Sequence, residues 1–364
     1  GIIDNNKYNR YNFTFRNSWD IVKNVLSMDM GLFYIKQNNQ NSNGQGMYYN
    51  PLVPIYLFPP SDDINKYAVY ERYDADRNFK SQYWPYGNQG LGMQNPYWII
   101  NRNMFNTDRD RYIISLSMKW NITNWLNIIG RARIDNAYTD FERKLYASTD
   151  GLFAKSQGNY MNQEDKNTST YLDFLVNVDK KFGENYHLLV NLGGSFYDEK
   201  YKSDTFEGNL VGVPNFFHPS NIPSTESNYN KSELHTQTQS IYGKAEIGYR
   251  NFLYADVTGR IDWFSTLVGT SKEYVCYPSA GLSVILSEIL PLPEKIISFW
   301  KIRGSYAQVG NPPSAYLPYA TVALENGNAT SANFTPASHL KPEMTKAFEF
   351  GMDLRLFQNK LNIA

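Results

Sequence analysis

The sequence predicts an all-β fold, an antiparallel transmembrane β-barrel of which this chain supplies an incomplete part. Three observations lead there: long strands with one apolar and one polar face, connections that alternate between short and long, and a high aromatic content. Leu253 to Trp263 reads LYADVTGRIDW, with Leu253, Ala255, Val257, Ile261 and Trp263 on one face. Tyr254, Asp256, Thr258, Arg260 and Asp262 fall on the other. Strict alternation over that length has the two-residue period of a strand, not the 3.6-residue period of a helix. The pattern returns at Leu172, Phe174, Val176 and Val178, set against Asp173, Asn177 and Asp179. It returns again at Phe348, Phe350, Met352, Leu354 and Leu356, set against Glu349, Asp353 and Arg355. An apolar face opposite a charged one suits a wall wetted by lipid outside and by water within.

In chain order, strands are expected at 8–19, 24–37, 108–121, 125–139, 169–182, 186–202, 235–250, 252–266, 275–288, 299–310 and 344–357, with a last one starting near Lys360. The connections near 20–24, 121–124, 183–185, 251 and 358–359 are very short, and Asn121, Asn124, the Gly183-Glu184-Asn185 triplet and Asn251 supply turn chemistry there. Long extracellular loops are expected near 38–107, 140–168, 203–234 and 311–343, with Asn, Pro, Gly and Ser clusters such as NNQNSNGQG at 38–46 and GNPPS at 310–314. The compact link near 267–274 breaks the alternation, and the link at 289–298, with Pro291 and Pro293, has room for one helical turn. Tight turns at one end and long loops at the other are the asymmetry of outer-membrane barrels. Eleven strands and a stub leave an open edge, which lipid would leave unsatisfied, so the chain is expected to be part of a larger barrel.

Composition narrows the function. Of 364 residues, Lys and Arg number 35 and Asp and Glu 35, so no nucleic-acid-binding surface is indicated. Mean hydropathy is −0.52, and no stretch approaches the roughly 18 consecutive apolar residues of a spanning helix. A barrel strand meets lipid only at every second residue, so neither fact argues against a membrane. The 29 Tyr, 21 Phe and 7 Trp suit interfacial girdles and loops that bind sugars or peptides. Cys276 is the only cysteine, which precludes an internal disulfide and leaves it a small packing residue of a strand. No signal peptide stands at Gly1, so a mature chain or a fragment is expected.

No enzyme, cofactor or metal site is expected. His187, His218, His235 and His339 are scattered without ligand spacing. The pairs Asp62-Asp63 and Glu164-Asp165 could serve glycoside hydrolysis only if their carboxylates flanked one bond, and both are expected in polar loops. Binding has more support. The first long loop is crowded with rings, and Trp84, Tyr86, Tyr97 and Trp98 are the candidate substrate contacts, Trp84 and Tyr86 flanking Pro85 as the most exposed. The alternative is that these rings pack the loop against itself or against a partner lid. Lys244, Glu246, Asp256, Arg260, Arg303, Glu349, Asp353 and Arg355 share the polar faces and are expected to line the lumen, pairing with one another or holding a plug.

Four stretches in order resemble the SusC/RagA-type TonB-dependent outer-membrane transporters of Bacteroidetes. Asn95 to Asn136 is similar to that family's mid-barrel segment, with an Asn-Pro-Tyr-Trp loop leading into a hairpin. Leu253 to Leu286, with Tyr277-Pro278-Ser279-Ala280-Gly281 opening its second strand, resembles a pair of family strands. KIRGSYAQVGN at 301–311 and LKPEMTKAFEFGMDLRLFQNKLNI at 340–363 resemble two more. Trp263 to Leu267 departs from the pattern, standing where a charged, serine-rich loop is expected. The resemblance implies a plugged barrel of about 22 strands, with the plug, the TonB-contact segment and the final strands outside this sequence. It also implies TonB-driven import of an oligosaccharide or peptide across the bacterial outer membrane, under a SusD-like surface lipoprotein. Two alternatives stand beside it: a secreted or surface-bound β-rich glycan-binding protein or glycoside hydrolase, and an adhesin or porin without TonB coupling. The first would need short strands, two apolar inner faces and a convergent carboxylate pair.

Overall fold

The computed structural model describes residues 3–41, 46–87, 93–320, 322–325, 327–331, 336 and 340–363. The chain opens with β1 (Lys7–Val22) and β2 (Leu26–Gln40), followed by two short helices, α1 (Gly46–Tyr49) and α2 (Leu52–Tyr56). A small hairpin of β3 (Glu71–Asp74) and β4 (Phe79–Gln82) and the helix α3 (Pro96–Arg102) complete the first long connection. Then come β5 (Asn103–Asn121), β6 (Leu126–Tyr146), β7 (Gly158–Phe182), β8 (Tyr186–Asn209) and β9 (Ser227–Tyr249). Shorter strands follow, β10 (Leu253–Phe264), β11 (Tyr274–Ile285) and β12 (Ile297–Asn311). A second small hairpin, β13 (Val322–Glu325) and β14 (Asn328–Ser331), precedes β15 (Glu343–Leu356) and β16 (Leu361–Ile363).

Twelve of these strands form one sheet in the order β1-β2-β5-β6-β7-β8-β9-β10-β11-β12-β15-β16. Each is antiparallel to its sequence neighbour in that order. Among the described residues the sheet does not close on itself, and β1 and β16 are its edges. The turns at one end are tight because they carry residues that tolerate left-handed backbone: Asn24 at φ 62° and Gly183 at φ 61° each sit in a three-residue link. The helical turn expected in the 289–298 link is not there: the one 3-10 turn after β11 is Leu286–Glu288, which takes the last three residues of the expected 275–288 strand.

Two expected loops are corrected. The connection at 140–168 narrows to 147–157, and that at 203–234 narrows to 210–226, because β6 to β9 run on past the alternating region. Their extensions are polar on both faces, as in Asn162-Gln163-Glu164-Asp165-Lys166-Asn167 of β7, which from sequence resembles loop. Cross-strand backbone pairing holds them as sheet even where neither face is apolar.

The apolar residues are inverted relative to a water-soluble fold. Side chains in the middle of the strands stand exposed on one face, with Leu192 57%, Ile241 62%, Val257 57% and Phe350 89% accessible. Most of the buried apolar residues, including Trp98, Leu145, Leu210 and Leu267, instead lie in the connections at the long-loop end or at the strand ends that meet them. No described helix is long and apolar enough to cross a membrane. The outward face of β8 explains the pattern: Tyr186, Leu188, Val190, Leu192 and Phe196 point one way, and Asp198, Lys200, Lys202 and Asp204 continue the same face upward. From Tyr186 to Phe196 the rise is about 33 Å along the strand at about 3.3 Å per residue. A barrel tilt of about 40° makes that about 25 Å, the height of the apolar band of an outer-membrane barrel. Tyr34, Tyr112, Trp263 and Tyr274 stand near the band's upper edge, and Trp125, Tyr186 and Tyr249 near its lower one. Cys276 lies on this outward face, opposite Ile261, and is exposed; it does not pack in a protein interior.

Candidate functional site

On the polar face, β5, β6 and β7 set a series of arginines against few carboxylates. Strand alternation brings Arg109, Arg111, Arg131, Arg133, Asp135 and Asp173 to one side. Arg111 donates from Nε to Asp135 Oδ1 at 2.7 Å and from Nη2 to Oδ2 at 2.6 Å, and Arg133 adds a contact to Oδ2 at 3.0 Å. One strand along, Arg131 grips Asp173 by the same fork, Nε to Oδ1 at 2.8 Å and Nη2 to Oδ2 at 2.5 Å, and Tyr171 donates to that carboxylate at 3.1 Å. Bidentate pairs of this kind fix both orientation and rotamer. The Asp173 side chain is fully buried while Arg131 remains about half exposed.

Two cavities adjoin these pairs. One of about 470 Å³ is lined by Arg109, Arg111, Arg133, Asp135, Tyr171, Tyr197 and Glu199, among others. The second, of about 560 Å³, shares Arg133 and Tyr171 with the first and adds Arg16, Asp29 and Arg131. Asp135 cannot neutralise every guanidinium around it. Arg109 has no ion pair or side-chain hydrogen bond among the described residues, and its Nε is shut off from solvent.

The eight charges expected to share a face do so. Lys244 and Glu246 pair at 2.8 Å, and Arg260 bonds Asp262 at 2.6 Å and Ser240 at 2.9 Å. Glu246 lies opposite Asp256, Ser283 opposite Arg303, Ser305 opposite Glu349 and Lys301 opposite Asp353, while Arg355 reaches over the Phe299 ring. The denser arginine cluster of β5 to β7 was not singled out from sequence. Its signal was there: Arg109, Arg111, Arg131 and Arg133 alternate in phase with the polar face of two adjoining strands.

The ring-rich first connection is organised by two polar residues. Asp62 accepts from Lys66 Nζ at 2.8 Å, Tyr67 OH at 2.6 Å and Tyr86 OH at 2.7 Å, as well as from the Asp63 amide at 2.8 Å. Those bonds, that of Lys66 first, hold its carboxyl far below the usual range and raise the Lys66 and Tyr86 pKa values in return. Asn95, with no exposed surface, caps α3 by accepting from the Tyr97 amide at 2.8 Å. Its Nδ2 donates to the carbonyls of Tyr67 at 2.9 Å and Tyr83 at 3.0 Å. Pro96 at the first helical position suits the helix start.

The four candidate contacts separate here. Trp84 and Tyr86 pack on each other at 5.3 Å and both meet Phe58 and Tyr67, so these rings hold the connection together. Trp98 is only 1% exposed and donates from Nε1 to Thr149 at 3.2 Å, making it an anchor of the connection on the sheet and not a ligand contact. Tyr97 is half-buried, and its carbonyl accepts from Asn101 at 2.7 Å. The connection is stitched to 147–157 through Gln82 to Ser148 and Arg77 to Ser156, and that segment to 210–226 through Lys155 to Glu226 and Ala147 to Asn215. Three connections therefore form one polar, hydrogen-bonded roof at the long-loop end.

The acid pairs do not form a hydrolytic site. Asp62 is occupied as described, and Glu164 and Asp165 lie inside β7, not in a loop, so they project to opposite faces. His187 bonds Asp179 and His235 bonds Asp198, both at 2.6 Å, and His218 meets Ser220. His339 lies outside the described residues. Among the described residues no group of His, Cys, Asp and Glu could hold a metal ion. The segment Trp263 to Leu267, unusual in sequence, ends β10 and forms a 3-10 turn whose Leu267 is fully buried.

Comparison with known proteins agrees with this architecture. A family model described as "TonB dependent receptor-like, beta-barrel" matches residues 54–364. A curated relative, TonB-dependent receptor P3 of Formosa agariphila, is 23% identical over 289 residues, 76% of this chain and 28% of that protein. The chain thus spans less than a third of that relative's length. Among solved structures, the RagAB peptide importer in its open-open state matches with a TM-score of 0.77 at 15% identity, over 98% of this chain and 39% of that one. The ferric-catecholate import receptor Fiu of E. coli K12 matches with a TM-score of 0.56 at 13% identity, over 99% of this chain and 50% of that one. At these identities the likeness to the solved structures is one of fold.

Proposed function

The chain belongs to the TonB-dependent receptor-like β-barrel family of the bacterial outer membrane, and from that premise we propose that it forms part of the wall of a nutrient importer. The observation that carries the reading is the inverted sheet, with an exposed apolar band of bilayer height and a polar face behind it. The apolar band meets lipid, and the polar face, with its eight charges and its arginine cluster, lines the lumen. The stitched roof of 46–102, 147–157 and 210–226 lies at the extracellular mouth. An oligosaccharide or peptide enters there and passes inward when TonB, acting through the plug that the family resemblance implies, opens the path. A SusD-like surface lipoprotein closes over the mouth; that element rests on the family resemblance and on the RagAB neighbour. The chain performs no chemistry on its cargo.

Rigid and adjustable parts divide the work. Fully paired residues such as Asp173 and Asn95 hold the frame, and arginines with spare donors face the path. Uptake of labelled oligosaccharide and peptide pools by cells making the full-length protein, with TonB present or deleted, tests the reading. Uptake that disappears without TonB is expected. Uptake indifferent to TonB would favour a porin, and a full-length protein soluble without detergent would favour a secreted glycan-binding protein.

A further inference from the structure

We infer that the cavity around Arg109 and Arg133 is a carboxylate-binding subsite for the imported solute. The inference rests on the importer reading and adds a chemical class to its cargo. Three features of the wall support it. First, Arg111 and Asp135 satisfy each other by a two-point fork, which leaves Arg133 with one contact at 3.0 Å and Arg109 with none among the described residues. Arg109 is half-buried, and its Nε, closed off from solvent and without a partner among the described residues, is an unsatisfied donor, which carries a cost.

Second, the cavity has the dimensions and lining for a ligand. Its volume of about 470 Å³ is within the range of small-molecule sites. Tyr171 and Tyr197 offer ring faces beside the arginines, and Glu199 contributes the one lining carboxylate not already held by an arginine. A planar carboxylate matches the fork of a guanidinium, so this is the anion the site fits best.

Third, the height is right for cargo. Arg109 lies between Asp108 and Asp110, whose side chains take the outward face above the aromatic row of Tyr34 and Tyr112. Ala137 opposite Asn167, and Glu199 opposite Ser169, line the cavity below Arg109, and the outward residues flanking Asn167 and Glu199, namely Lys166, Thr168, Asp198 and Lys200, are already polar or charged. The subsite therefore sits in the upper part of the lumen, reached from the long-loop end. A plug's acidic segment could also meet an arginine, but this level favours an entering solute.

The experiment uses the full-length protein in detergent and titrates four probes by calorimetry: trigalacturonate, its neutral counterpart trigalactose, triglutamate and triglutamine. Tighter binding of one carboxylated probe than of its neutral counterpart is expected, and the pair that shows the difference identifies glycan or peptide as the carboxylate's source. Arg109→Gln should weaken that probe by about tenfold or more, in keeping with a charge-assisted hydrogen bond, and leave the neutral probe unchanged. Lys202→Gln, on the outward face, should change neither. Equal losses for charged and neutral probes, no preference for charge, or no binding of any probe would overturn the subsite. So would a structure of the full-length protein with a plug carboxylate seated on Arg109. TonB-dependent uptake of a neutral solute alone would leave the importer standing and remove only the subsite.

Discussion

The two halves of the sheet solve different problems. β5 to β9 contain 19, 21, 25, 24 and 23 residues, whereas β10, β11, β12 and β15 contain 12, 12, 15 and 14. The shorter strands are little longer than a membrane crossing requires. The longer ones continue beyond it as two-sided polar sheet. Within the bilayer level, outward residues must be apolar, and alternation is strict. Above it water wets both faces, and alternation stops without the strand stopping. Pairing is then stabilised by cross-strand contacts such as Lys202 to Glu233 at 3.1 Å and Asn162 to Asp140 at 3.0 Å, which are individually weak at an exposed surface. The tall half also carries the arginine cluster and roots the stitched roof, so on the proposed importer reading it is the half that meets cargo.

The largest expected effect lies in the polar face of the tall half. Asp173→Asn removes the charge that Arg131 grips from a fully buried side chain, and unfolding in lipid vesicles should show a loss of about 3–5 kcal/mol. Next is the apolar band. Leu192→Lys places a charge in the middle of that face and should cost about 2–4 kcal/mol, whereas Lys202→Leu, five outward positions higher on the same strand, should change stability by less than about 0.5 kcal/mol. Comparable costs at the two positions would erase the boundary between the membrane and water levels.

Asn95→Ala leaves the Tyr67 and Tyr83 carbonyls without their donor and should loosen the roof locally by about 2 kcal/mol. Hydrogen exchange should rise in 60–87 while the barrel strands keep their protection. The smallest effect is a pH dependence. The Asp62 carboxyl is held below its unfolded value, chiefly by Lys66, so its contribution is complete above the unfolded pKa and fades as pH falls through the folded one. Trp84 fluorescence should therefore be steady at neutral pH and change only as acid protonates Asp62, below about pH 4. Asp62→Ala should already show the loosened signal at neutral pH and lose the acid step.

The strand order was legible because lipid imposes alternation. Leu253 to Trp263 can be read as a two-faced strand with no further information, and its neighbours follow from the tight turns. The upper halves of β6 to β9 were not legible, because Glu164, Asp165 and Lys166 in water look the same in a loop as in a polar strand. The charges of the polar face were readable from phase alone. The roles of the rings were not: Trp98 and Tyr97 are adjacent in α3, and only packing shows that one is an anchor and the other half-buried. Asp62 and Asn95 organise the roof through contacts 24 and 28 residues apart, which local pattern does not reveal.

The central claim is that β8 passes from lipid to water between Phe196 and Asp198. Single cysteines introduced at 188–204 of the full-length protein, with Cys276→Ser as background, can be spin-labelled in lipid vesicles and tested for access to oxygen and to a water-soluble relaxant. Labels at 188, 190, 192 and 196 should favour oxygen, labels at 189, 191, 195 and 197 should favour the water-soluble relaxant, and from 198 onward both faces should meet water. Access to the water-soluble relaxant on both faces throughout 188–197 would contradict the membrane-spanning wall.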